Sequence, residues 1–205
     1  MQETIENKIL NRIYGNRRGW VFSPKDLSGL GPRTVIDSAL HRFEQKGKIH
    51  RVIQGLYYYP RSSEMLGQEL QPDIDNVARA LARKFGWRIQ PGGAMAQNLL
   101  GLSTQVPARV VYLSDGRKRM YRVGRYRLVF EHSTLKESGF QLHESGLIVQ
   151  AIRSLGKDRI TPEIIAKIRS WLQPNLRQKV LADTKTATGW VYSAIQRITQ
   201  EESHG

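Results

Sequence analysis

Pro32-Arg33-Thr34-Val35-Ile36-Asp37-Ser38-Ala39-Leu40-His41-Arg42-Phe43-Glu44-Gln45-Lys46-Gly47, followed by Lys48-Ile49-His50-Arg51-Val52-Ile53-Gln54-Gly55-Leu56-Tyr57-Tyr58-Tyr59-Pro60, decides how the first third of the chain is read. Ile36, Ala39, Leu40 and Phe43 fall on one side of a helix that opens at Pro32 and stops at Gly47. Residues 49–59 are rich in β-branched and aromatic side chains and are split by Gln54-Gly55, which predicts a hairpin with a tight turn. Working upstream, Ser23-Pro24-Lys25-Asp26 places a capping Ser, a Pro at the first helical position and an acid at the third, so a short helix starts there. Ser28-Gly29-Leu30-Gly31 breaks it. Trp20-Val21-Phe22 is a short β-prone stretch, and Ile5, Ile9, Leu10 and Ile13 line one face of a first helix ended by Gly15.

Helix, short strand, helix, turn, helix, hairpin is the element order of a winged helix-turn-helix, whose third helix enters the major groove while the hairpin reaches phosphates or the minor groove. Stepping about 100° per residue from Ile36 puts Thr34, Asp37, Ser38, His41 and Gln45 opposite the buried face, with Arg33 and Arg42 beside them. Short hydrogen-bonding side chains, one His and two Arg suit base edges and phosphates. Lys25, Arg51 and Gln54 complete the expected DNA-contact set. Taken alone, such a helix face is also an ordinary solvated surface. His41 has no Cys, His or carboxylate at a ligand spacing, so no metal role is expected for it.

The 205 residues carry 32 Lys and Arg against 18 Asp and Glu, a net charge of +14 that suits a polyanionic partner. Residues 1–62 hold 11 basic and 5 acidic side chains; the remaining 143 hold 21 and 13. A basic surface kept for solubility satisfies the same arithmetic. With 40% hydrophobic residues the chain can build real cores, and its length allows one or two domains. The longest apolar runs, such as Gly146-Leu147-Ile148-Val149, are far short of the roughly 18 residues a membrane span needs. Met1 to Asn11 is mixed and acidic, so no signal peptide and a cytoplasmic location are expected. Zero Cys excludes disulfides, thiolate zinc sites and cysteine nucleophiles within the chain.

Beyond the hairpin, residues 61–72 turn to Ser, Glu, Gln and Gly. This shift predicts a winged-helix domain over 1–62, a linker over 63–72 and a second domain over 73–205. Ile74, Val77, Ala78, Leu81 and Phe85 predict a helix after Pro72; Trp87-Arg88-Ile89 predicts a brief strand, and a short helix follows Gly92-Gly93. Residues 109–114, 119–123 and 126–131 are strand-like, with Asp115-Gly116 and Gly124 as turns, and a small antiparallel sheet is expected. Its alternation places basic side chains on one side, making a second patch of Arg117, Lys118, Arg119, Arg122, Arg125 and Arg127, near Arg109, for DNA or a protein partner. Helices over 144–155, 161–172, 174–182 and 189–199 make the C-terminal half helical, so the whole chain reads as α+β.

Two segments resemble a known family. Arg51-Val52-Ile53-Gln54-Gly55-Leu56-Tyr57-Tyr58-Tyr59-Pro60 is similar to the wing of the AbiEi-type antitoxins of bacterial toxin–antitoxin and abortive-infection systems. Gly93-Ala94-Met95-Ala96-Gln97-Asn98-Leu99-Leu100-Gly101-Leu102-Ser103-Thr104-Gln105-Val106-Pro107 is similar to the segment opening that family's second domain. The resemblance covers residues 5–131. It implies a phage-defence antitoxin that represses its own promoter as a transcriptional regulator bound to double-stranded DNA, and that counteracts a nucleotidyltransferase-like toxin. Read from the residues alone, 101–107 is a helix stop followed by a loop into a strand, with Gly101 at the cap and Pro107 at the strand entry.

No cofactor, metal or catalytic group is expected: there is no Walker loop, no Gly-x-Ser-x-Gly and no His-Glu-x-x-His. Glu131-His132 and His143-Glu144 are the one acid–imidazole cluster. They keep an alternative open, a metal-dependent nuclease of a mobile element targeted by its winged helix.

Overall fold

α1 (Ile5–Gly15) starts at Thr4, whose Oγ1 accepts the Asn7 N–H at 3.3 Å, and buries Ile9 and Ile13. The computed structural model describes residues 4–63, 65, 67–105, 107–133 and 140–200. They form an α+β protein with two compact units, Met1–Trp87 with Arg122–Arg125, and Arg88–Tyr121 with Tyr126–Gly205.

In the first unit β1 (Val21–Phe22) leads into a 3-10 helix (Pro24–Leu30), then α2 (Arg33–Gln45), β2 (His50–Ile53) and β3 (Leu56–Tyr58). The Asp26 carboxylate accepts the Ser23 N–H at 2.7 Å and its hydroxyl at 3.0 Å, which ties down the start of the 3-10 turn. β1 and β2 both pair antiparallel with β3, giving the order β1-β3-β2. Ile53 faces Leu56 across a two-residue turn in which Gly55 takes φ +70, a conformation that disfavours any residue with a Cβ. Ile9, Ile13, Phe22, Leu27, Ile36, Ala39, Leu40, Phe43, Ile49 and Tyr57 close into one core.

The expected linker is a folded element. β4 (Arg61–Ser63) and β5 (Gln68–Leu70) pair antiparallel, and the Tyr58 hydroxyl ties them back by donating to Leu70 O at 3.1 Å and accepting the Arg61 N–H at 3.2 Å. Of this stretch, Glu64 and Leu66 lie outside the described residues. α3 (Ile74–Phe85) starts at Asp73, whose Oδ1 accepts the Asp75 and Asn76 N–H groups at 2.8 and 3.2 Å. It belongs to the first unit rather than the second. The reason is visible at its C-terminal turn, where Arg83 donates to Val21 O at 2.8 Å and pairs with Asp26 at 2.9 Å. The boundary therefore falls at Trp87, and not within 63–72.

The second unit holds β6 (Ile89–Pro91), α4 (Gly93–Leu99), β7 (Arg109–Ser114), β8 (Arg119–Val123, whose last two residues group with the first unit) and β9 (Tyr126–His132). The expected antiparallel sheet is mixed instead: the order is β6-β7-β9-β8, and β7 runs parallel to β9 with Arg109 facing Arg127 and Tyr112 facing Phe130. Leu128 and Phe130 are buried on one face of β9 and Val129 on the other, between the exposed Arg127 and the half-buried Glu131.

Helices α5 (His143–Leu155), α6 (Pro162–Trp171), α7 (Arg177–Asp183) and α8 (Gly189–Thr199) form the C-terminal half. They pack around α5, in which every residue from Ser145 to Ile152 is buried. Thr161 caps α6, accepting the Ile164 N–H at 3.4 Å, and a second hydrogen bond from Thr161 holds the Glu163 carboxyl below its ordinary range. α4 crosses α5 so closely that a Cβ on Gly93 would collide with the Ser154 side chain. Among the described residues no helix is long and apolar enough to cross a membrane.

Candidate nucleic-acid interface

α2 buries Ile36, Ala39, Leu40 and Phe43, and this single apolar stripe forces the other side outward. Arg33, Thr34, Asp37, Ser38, His41, Arg42 and Gln45 are all exposed, together with Val35 at 38%. All seven expected residues of the helix thus share one accessible surface.

That surface is not a bare row of cations. Arg33 Nε lies 2.8 Å from Asp37 Oδ2, Arg42 reaches Glu6 of α1 at 3.1 Å, and the Gln45 amide nitrogen meets His41 Nε2 at 3.0 Å. On the hairpin Arg51 pairs with Glu44 at 2.9 Å and lies over the Tyr57 ring at 5.7 Å. Tyr57 first, then Glu44, raises its pKa above the usual arginine value, so its charge is secure. Exposed pairs of this kind contribute about 0–1 kcal/mol each, far less than a charge-assisted contact to phosphate in a dry interface. The side chains are thus pre-ordered and still exchangeable.

The hairpin tip is held from behind. Lys84, in the last turn of α3, donates to Gln54 O and Gly55 O, both at 3.3 Å, while its own carbonyl accepts Lys25 Nζ at 3.3 Å. Lys25 and Gln54, expected at DNA, are therefore tied into one brace through Lys84. Residues 54 and 84 are thirty apart, and no local pattern connects them, so sequence reasoning missed Lys84. Its replacement by Ala is expected to leave the fold intact and to speed amide hydrogen exchange at residues 53–56 severalfold; unchanged exchange there would show the brace to be idle.

The six residues of the expected second patch divide between the units. Arg122 and Arg125 group with the first, and Arg117, Lys118, Arg119 and Arg127 with the second. In the second unit Arg109, Lys118, Arg119 and Arg127 line one shallow cavity of about 420 Å³, together with Met120 and Val129. Arg109 was visible in the sequence as a neighbouring charge, but only the parallel register brings it beside Arg127.

The acid–imidazole residues do not assemble. Glu131 pairs with Arg109 at 2.7 Å, the His132 ring nitrogen Nδ1 meets Gly116 O at 3.0 Å, and His143 and Glu144 open α5. Among the described residues no three His, Asp or Glu side chains come together to hold a metal ion.

The segment 93–107 folds as α4 and a tied loop. Gly101 takes φ +68 just past the helix, Asn98 donates to Ser103 O at 3.2 Å and the Gln105 N–H donates to Ser103 Oγ at 3.2 Å; Val106 lies outside the described residues.

A search of the curated proteins found no match. Residues 8–180, a span that takes in the α2 face, the hairpin and the basic cavity alike, match the family of unknown function DUF6088, and the chain belongs to that family.

Proposed function

We propose that the first unit is a winged helix-turn-helix that binds duplex DNA through α2 and the β2–β3 hairpin, and that the protein is the antitoxin and autorepressor of a toxin–antitoxin system. One observation carries the DNA reading: Arg33, Thr34, Asp37, Ser38, His41, Arg42 and Gln45 lie exposed together on the outward face of α2. The net charge of +14 supplies long-range attraction to a polyanion, and the pre-ordered side chains supply groups able to read base edges. Lys25, Arg51 and Gln54 serve at the edges of this footprint, on the 3-10 helix and the hairpin. Antagonism of a nucleotidyltransferase-like toxin rests on the likeness of residues 51–60 and 93–107 to AbiEi-type antitoxins, and belongs in this reading to the second unit.

Two experiments test the reading. The purified protein should prefer a duplex carrying its own upstream region over a scrambled one, and its affinity should fall roughly a thousandfold between 50 and 200 mM salt if about six phosphates are neutralised. Equal affinity for both duplexes would reject the repressor role. Coexpression with an adjacent nucleotidyltransferase-like gene should restore growth that the gene alone arrests, and failure to restore it would remove the antitoxin role while leaving DNA binding standing.

A further inference from the structure

We propose that the basic cavity on the sheet of the second unit binds the phosphodiester backbone of a nucleic acid without regard to sequence, a site separate from α2 and independent of the reading above. Arg109 of β7 and Arg127 of β9 are direct partners in a parallel ladder, so both side chains leave the same face of the sheet on adjacent strands. Arg119, the first residue of the edge strand β8, and Lys118 just before it line the same cavity. Like charges at facing positions on a sheet repel. Glu131 pairs with Arg109 at 2.7 Å, and neither Lys118 nor Arg127 is drawn into that pair.

The arrangement favours a chain of phosphates over a single anion. β7, β9 and β8 are neighbours in the sheet, and two spacings of about 4.8 Å spread the cations over roughly 10 Å. A row of that length is longer than one phosphate and spans neighbouring phosphates of one strand. Arg is the main cation here, and its planar fork matches phosphate oxygens in pairs. Among the described residues the remaining lining is Met120, 65% exposed, and Val129, 4% exposed: an apolar floor with no aromatic ring on which a base could stack. The contacts are therefore to backbone, and sequence is not read.

The test uses the full chain and labelled probes of mixed sequence, a single-stranded 12-mer and a 20-base-pair duplex lacking the protein's own upstream region, with anisotropy read from 50 to 200 mM salt. Lys118→Ala with Arg127→Ala removes two cations, both exposed, so folding should be unaffected; a thermal melt checks this. Affinity should drop roughly tenfold or more, and the slope of log K against log salt should shrink by about 1.4 on the single strand or 1.8 on the duplex, two contacts at about 0.7 or 0.9 each. The probe on which the double variant loses more affinity identifies the form that the cavity prefers. Arg127→Lys keeps the charge and should keep the slope while losing part of the affinity. Parental affinity and slope in the double variant on both probes would overturn the proposal and point to an acidic protein surface instead. Because Arg33→Ala acts on the α2 face alone, failure of that variant to change operator binding would not touch this result.

Discussion

Replacing Phe22 by Ala should destabilise the first unit by about 3–5 kcal/mol. Phe22 is fully buried, its ring stacked at 4.4 Å on Trp20 and 6.0 Å from Tyr57, so it joins β1 to β3 and both to the core under α2. Domains of this size hold on the order of 5–15 kcal/mol in all, and each kcal/mol moves their melting point by roughly 4–8 °C, which puts the expected drop above about 10 °C. The core around α5 contains none of these side chains. Calorimetry should therefore show one transition lowered and one unmoved. A single transition shifted as a whole would mean that the two units unfold together.

The second large effect lies on α2. Arg33→Ala and Arg42→Ala should each weaken binding to the protein's own upstream duplex by about 1–3 kcal/mol, roughly fivefold to 150-fold. The two losses differ in kind. Removing Arg33 leaves Asp37, 47% exposed, without its 2.8 Å partner on the surface proposed to meet DNA, so lost attraction should be joined by new repulsion. Arg42 is held by Glu6 across the α1–α2 contact at 3.1 Å, and Glu6→Gln should release it and tighten binding a fewfold. Anisotropy with the upstream duplex and a scrambled control at matched salt measures all three variants. If Arg33→Ala and Arg42→Ala bind as the parent does, α2 is not the reading helix and its outward face is only solvated.

Much of the first unit was legible because its signals are local. Helical spacing of Ile5, Ile9 and Ile13, the Ser23-Pro24-Asp26 start, the stripe from Ile36 to Phe43 and the Gln54-Gly55 turn each fall within a dozen residues of chain, and each forms the element its pattern predicts, the 3-10 form of residues 24–30 apart. The outward placement of the α2 residues followed from the same stripe. The stretch 63–72 reads as a linker because Ser62, Ser63, Gln68 and Glu69 show no alternation; what ties β4 to β5 is Tyr58, whose hydroxyl is hydrogen-bonded to both strands at the end where Arg61 faces Leu70.

What the amino-acid order determined by itself was the set of elements, the buried stripe of each helix and the excess of positive charge, since propensity, capping and periodicity act over one or two turns of chain. The tertiary structure alone decided which unit α3 joins, that β7 lies parallel to β9, and which cations meet. Those outcomes depend on contacts between residues far apart, Arg83 with Val21, Lys84 with Gly55 and Arg109 with Arg127, and on closing the chain so that each apolar face is covered. A local pattern carries no term for such distances, so a row of arginines in the sequence became a four-cation cavity only once the sheet had set its register.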